Sequence, residues 1–192
     1  MFNVRQMRER GMRPRVHGNG FIQIDLDHAN RLHIWGHPDI PRQKTLTPIH
    51  DHIFGFTSTV LVGRLMNVEY KVEDDVRGGF RVYNAEVRKD EDTSLTPTPR
   101  RVTPHPVRVG FHTKAGTFKY NMKPFVFHET FATELTATMI LKDSPTQAQG
   151  ATHAPPRILV PWDVDPDNTF DRYGHDENLL WEITSEVLNL IK

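Results

Sequence analysis

Two histidines separated by one residue, His50 and His52 in the stretch TPIHDHIFGFTSTVLVG, are the side chains of this 192-residue chain best spaced to do chemistry together. Successive side chains of an extended strand alternate faces, so these two imidazoles point the same way, about 7 Å apart, and can converge on one ion. A third histidine, His128, ends the apolar run PFVFH much later in the chain. Two ligands from one strand and a third from a distant strand, facing a shared interior, make a facial three-histidine site with open positions for water, substrate or oxygen. The chain has no Cys, which excludes disulfides, thiolate zinc sites and a cysteine nucleophile and leaves histidine and carboxylate as the strong metal ligands. The competing reading of the same residues is a set of hydrogen-bonded polar core histidines with no ion.

Beside such an ion, Arg64, Tyr70 and Tyr120 are the candidate catalytic or substrate-facing groups, with Ser58, Arg81 and Tyr83 in similar positions. Each sits in or beside a strand that a barrel could turn inward. An arginine can clamp a substrate carboxylate bidentately, and a tyrosine can donate a hydrogen bond to bound oxygen. Other catalytic signatures are missing. His128-Glu129 lacks the second histidine of H-E-x-x-H, Ser58 lacks a G-x-S-x-G frame, and no G-x-x-x-x-G-K-[ST] loop is present to cradle phosphate.

Composition limits the partners. Lys+Arg and Asp+Glu number 24 each, so no global field draws the protein to nucleic acid or to a charged membrane. A small-molecule substrate is expected, with no nucleic acid and no membrane, and a homodimer is compatible. Arg5, Arg8, Arg10, Arg13 and Arg15 crowd the N-terminal stretch. Residues 1–19 therefore read as a basic arm, either solvated or touching another subunit, or else holding phosphate; overall neutrality favours the former. That stretch lacks the apolar core of a signal peptide, and no run approaches the roughly 18 apolar residues of a membrane span, so a cytoplasmic location is the default expectation.

The elements that must position these residues are mainly β. Phe21 to Leu26 and Arg31 to Trp35 interleave apolar and polar residues around a break at 27–30, the pattern of two strands and a turn. Further strands are expected over 49–54, 57–62, 65–72, 80–87, 107–111, 117–122, 125–128 and 134–141, punctuated by Gly55, Gly63, Gly78-Gly79, Gly110 and Gly116. Residues 90–106, polar and proline-rich, read as a loop between strands. Residues 143–192 read as a proline-rich connector followed by a closing helix over 176–192, packing on the barrel or on a partner. In that helix Leu180, Ile183, Val187 and Ile191 recur at three- and four-residue steps, with Asp176 and Glu177 at the start.

With Gly63 eleven residues beyond His52, and with Gly116, Pro124 and His128 downstream, residues 20–142 resemble the cupin superfamily, whose motifs are G-x5-H-x-H-x3-4-E-x6-G and G-x5-P-x-G-x2-H-x3-N. The resemblance implies an antiparallel double-stranded β-helix, a jelly-roll-like barrel, holding a divalent metal on His50, His52 and His128. Phe56 or Thr57 stands where the family places its glutamate, and Phe125 and Ala132 stand where it places glycine and asparagine. The three-histidine pattern that remains is similar to that of the thiol dioxygenase branch, which implies Fe(II) most readily, with Zn, Mn or Ni as alternatives, and dioxygenation of a small organic substrate. A non-catalytic cupin-like module for ligand binding or assembly is the other reading.

Overall fold

A computed structural model describes residues 3–42, 48–87, 93–115, 119–143, 154–166 and 171–191. The elements are α1 (Val4–Glu9), β1 (Pro14–His17), β2 (Phe21–Asp25), β3 (Asn30–Trp35), β4 (Phe56–Val62), β5 (Arg64–Asp74), β6 (Phe80–Val87), β7 (Thr93–Thr113), β8 (Lys119–Met122), β9 (Phe127–Ala132), β10 (Thr136–Lys142), β11 (Arg157–Pro161) and α2 (Glu177–Leu188). Two antiparallel sheets result, one ordered β1-β2-β3-β10-β4-β8 and the other β11-β6-β7-β5-β9.

The six-stranded sheet is covered on both faces, and its sequence alternation sorts them. Val16, Ile22, Ile24, Leu32 and Ile34, at alternate positions of β1, β2 and β3, pack with Ala137 of β10 against Leu180, Trp181, Ile183 and Val187 of α2. Their neighbours Arg15, His17, Phe21, Gln23, Arg31, His33 and Trp35 turn the other way, into a cavity shared with the second sheet. Helix α2 begins where its capping residue requires, because the Asp176 carboxylate accepts the Asn178 N–H at 2.9 Å.

Gly63 carries the chain from the first sheet to the second, between β4 and β5. Its φ of +74° is open to glycine, and a Cβ there would meet the Leu135 carbonyl oxygen at 2.4 Å.

Three expectations change. Residues 93–106 are not a loop: they form the first part of β7, through Pro97, Pro99, Pro104 and Pro106. The tolerance has a simple cause, since residues 93–101 pair with β6 and residues 103–113 with β5, meeting only at Val102. Each half is bonded along one flank, so every proline has a flank on which no N–H is needed. The connector after Lys142 also holds a strand, β11, whose Ile158, Leu159 and Val160 are buried against β6. Residues 144–153 of that connector lie outside the described residues, as do Gly116 and Thr117. The basic arm, finally, contributes α1 and the strand β1, which pairs with β2 from Pro14↔Ile24 to His17↔Phe21.

Candidate metal centre

His50 sits on a single rung between two strands. It pairs with His128 of β9: the His50 N–H donates to the His128 carbonyl at 3.0 Å, and the His50 carbonyl accepts the His128 N–H at 2.8 Å. On its other side it pairs with Ile158 of β11, and Leu159 donates to the Ile49 carbonyl at 2.9 Å. The rung therefore joins the two outer strands of the five-stranded sheet. The chain stays extended through His52, whose carbonyl accepts the Phe125 N–H at 2.8 Å.

His50, Asp51 and His52 all line the cavity, and alternation sets the two imidazoles apart from the Asp51 carboxylate between them. Asp51 is 1% exposed and accepts from the Arg157 backbone N–H at 2.6 Å and from the Arg157 Nε and Nη2 at 2.7 and 2.5 Å. Burial pushes its carboxyl up even against the Arg157 charge. Removing either partner would leave the other poorly compensated, so this pair fixes the direction of the two flanking imidazoles.

The result is one histidine cluster. The ligand nitrogens of His50, His52 and His128 lie within 4.8 Å of one another. Ring centroids are 4.7 Å apart for His50 with either partner and 5.2 Å for His52 with His128. Imidazole nitrogens bound to one ion at roughly 2 Å lie about 3 Å apart, so small ring rotations bring the three onto it.

Tautomers are set by backbone. His50 Nδ1 lies 2.7 Å from the Pro48 carbonyl and His128 Nδ1 3.2 Å from the Val126 carbonyl, so each Nδ1–H donates outward and leaves Nε2 as the ligand atom. Burial holds all three rings below the ordinary imidazole value, His128 at about 3. They are neutral in the fold, the form a metal needs. The donor set, its tautomers and its protonation all fit a divalent ion.

Phe56 is one of the two residues, with Thr57, that stand where the motif carries glutamate. Its ring lies 5.4 Å from that of His52 and 5.9 Å from that of His128, so an apolar wall closes that side of the cluster. Phe125 takes φ 59°, the one non-glycine residue among those described with a positive value, at the position where the motif has glycine.

Around the cluster is a cavity of about 380 Å³, within the range that takes a small organic molecule. Tyr120 lines it, stacked on His112 with centroids 4.6 Å apart and with its hydroxyl beside Ser58 and Thr130. Burial pushes the Tyr120 hydroxyl up, which keeps it a proton donor. Tyr70 and Arg64 are elsewhere. Tyr70 donates to Glu129 and packs toward the core of the five-stranded sheet, around Phe127 and Leu159. Arg64 is 65% exposed at the start of β5, paired with Glu134 at 3.0 Å. Arg81 and Tyr83 also lie outside the cavity, Arg81 over the Trp162 ring at 4.1 Å and Tyr83 buried with Leu95 and Val160.

Several cavity residues escape a motif reading of the sequence, namely Arg15, His17, Asn19, Arg31, His33, Arg157 and Arg172. For Arg31 and His33 the available signal was the polar half of the alternating run 31–35; the others lie outside the alternating runs. Compared with models of known families and with curated protein sequences, the chain matches none.

Proposed function

We propose that the protein is a metal-dependent cupin-like enzyme, an iron dioxygenase that acts on a small organic substrate in the cavity between the sheets. One observation carries this reading: three neutral imidazoles, two with Nδ1 committed to backbone carbonyls, converge at the wall of a cavity of substrate size. A divalent ion held by three neutral ligands keeps its full positive charge and open positions, and Fe(II) bound there supplies oxygen activation.

The chain's own residues set the surroundings. Phe21, Trp35 and Phe56 line the cavity with apolar rings that keep water away from the reacting atoms. Tyr120 is the donor placed on the cavity wall, and Asn19 lies 3.3 Å from His50 Nδ1, where it shares that nitrogen's environment with the Pro48 carbonyl. The Asp51–Arg157 pair, itself in the cavity lining, orients the HxH rung.

Elemental analysis tests the reading directly. Protein purified without chelator is expected to carry about one ion per chain, and His50→Ala and His128→Ala each to lose most of it, with affinity down about 100-fold or more. A clean absence of metal after exposure to iron, zinc, manganese and nickel would overturn the proposal. Iron binding without oxygen uptake for any offered substrate class would reduce it to a metal-bearing ligand module.

A further inference from the structure

Four arginines line the same cavity; Arg157 is taken up by Asp51, and the other three are Arg15 on β1, Arg31 on β3 and Arg172 ahead of α2. Between them stands one carboxylate. Asp25 meets Arg15 Nη2 at 2.5 Å and Arg31 Nε at 2.8 Å. Burial would raise the Asp25 carboxyl, but Arg31 and Arg15 outweigh it and hold it ionised below its ordinary range.

Arg172 has no such partner. It is 9% exposed, its backbone carbonyl is tied to the Val16 N–H at 3.0 Å, and among the described residues its guanidinium makes no hydrogen bond or ion pair. Burial and then the Arg15 charge push it down to about 10, far enough from neutrality that it stays charged. A buried guanidinium beside two like charges is unfavourable unless an anion compensates it. The nearby imidazoles add nothing, because burial keeps His17 and His33 neutral.

A second unpaired group faces the same space. His33 Nε2 is buried without a hydrogen-bond partner, its ring held between Phe21 at 4.6 Å and Trp35 at 5.8 Å. Among the described residues, and with Arg157 neutralised by Asp51, the other three guanidinium groups and the Asp25 carboxylate leave two positive charges, and a donor-capable imidazole completes the lining.

We propose that Arg15, Arg31, Arg172 and His33 form an anion subsite for a dianionic phosphate-type group, a phosphate ester or phosphonate, carried by the small molecule that reaches the histidine cluster. A single carboxylate would neutralise half of the charge. A tetrahedral dianion neutralises both and offers several acceptor oxygens to the forks of Arg15 and Arg172. His17 connects the two ends of the cavity, stacked on Phe21 at 4.4 Å and 6.1 Å from the His50 ring. The inference rests on the cavity being the substrate site and names the class of substrate it takes.

Calorimetric titration of the full chain with inorganic phosphate, and separately with acetate, at fixed ionic strength and mildly alkaline pH tests it. Metal content is measured on each sample. Phosphate is expected to bind at least tenfold more tightly than acetate, and Arg172→Gln to weaken phosphate at least tenfold while leaving metal content unchanged. In His128→Ala, phosphate affinity is expected to persist while metal is lost, which separates the subsite from direct anion ligation of an ion. Equal binding of phosphate and acetate, or none of either, in metal-loaded wild-type protein overturns the subsite and leaves the metal reading standing. Should Arg172→Gln not fold, Arg31→Gln replaces it, and the wild-type comparison decides the matter alone. Loss of metal from every sample with phosphate binding intact would instead overturn the metal reading.

Discussion

The two faces of the six-stranded sheet are built from the same three strands and read oppositely. Toward α2, Val16, Ile22, Ile24, Leu32 and Ile34 are each fully buried in apolar contact. Toward the cavity, one residue along in each strand, stand Arg15, His17, Gln23, Arg31 and His33. The first face gains from burial at every position. The second carries like charges and an unpaired imidazole nitrogen, which cost stability unless something binds there. A single β-sheet thus keeps its folding energy on one side and its chemistry on the other, separated by the thickness of a backbone.

Substitution on the helix-facing side is expected to have the largest effect. Trp181→Ala removes a side chain 1% exposed from the centre of that contact, and stability should fall by about 3–5 kcal/mol in urea unfolding, with metal per folded molecule unchanged. If metal occupancy falls in step with stability, the two faces are not separable.

An intermediate effect comes from pH. Burial, and after it the Arg31 charge, holds His33 well below the usual imidazole value; Arg15 and Arg172 add to this and Asp25 opposes it. The ring is neutral when folded and protonated when unfolded below about pH 6.5, so the unfolded state binds the extra proton. The contribution is present in full above that pH and is lost as pH falls toward the folded value. The slope is at most about 1.4 kcal/mol per pH unit for this one group. His17 and the three clustered histidines shift in the same direction and steepen it. Replacing His33 with Gln should flatten the curve between about pH 6.5 and pH 5, and an unchanged slope would remove His33 from the set of buried neutral groups.

The smallest effect should also have the opposite sign. Arg172→Gln relieves a buried charge and is expected to raise stability by about 1 kcal/mol in unliganded protein, as functional groups held at a cost do when removed. A loss of several kcal/mol instead would mean that Arg172 is a structural residue and that the two faces differ less than their composition suggests.

How much of this was legible in the sequence follows the same division. His50, His52 and His128 stood out because two imidazoles at alternate spacing and a third on a distant strand-like run offer a metal's ligands, and the structure brings them into one cluster. Helix α2 was visible in its period and in the acidic Asp176 and Glu177 at its start, although it ends at Leu188 and does not run to Lys192. Arg31 and His33 lay in a recognised strand, but alternation does not say whether a polar face meets water or a cavity. That depends on a second sheet contributed by distant residues. Arg172 lies in a segment without any period. Strand β7 was hidden because proline content argues against a central strand, whereas the chain switches partners at Val102 and never asks its prolines to donate. Tyr70 and Arg64 failed to reach the cavity for the converse reason: strand β5 turns Tyr70 to Glu129, and Arg64 begins that strand in solvent.

The rung at His50 has a consequence for the molecule's behaviour among copies of itself. Strands β9 and β11 would each present a row of unsatisfied amides and carbonyls to any passing chain, the usual starting point for intermolecular strand pairing and fibrous association. The segment from Ile49 to His52 blocks both at once, bonding to His128 on one side and to Arg157 and Leu159 on the other. The segment that carries two of the three candidate ligands therefore also stands guard over colloidal stability. Anything that loosens the rung should reveal itself first as turbidity on storage, before any loss of helix or of the apolar core.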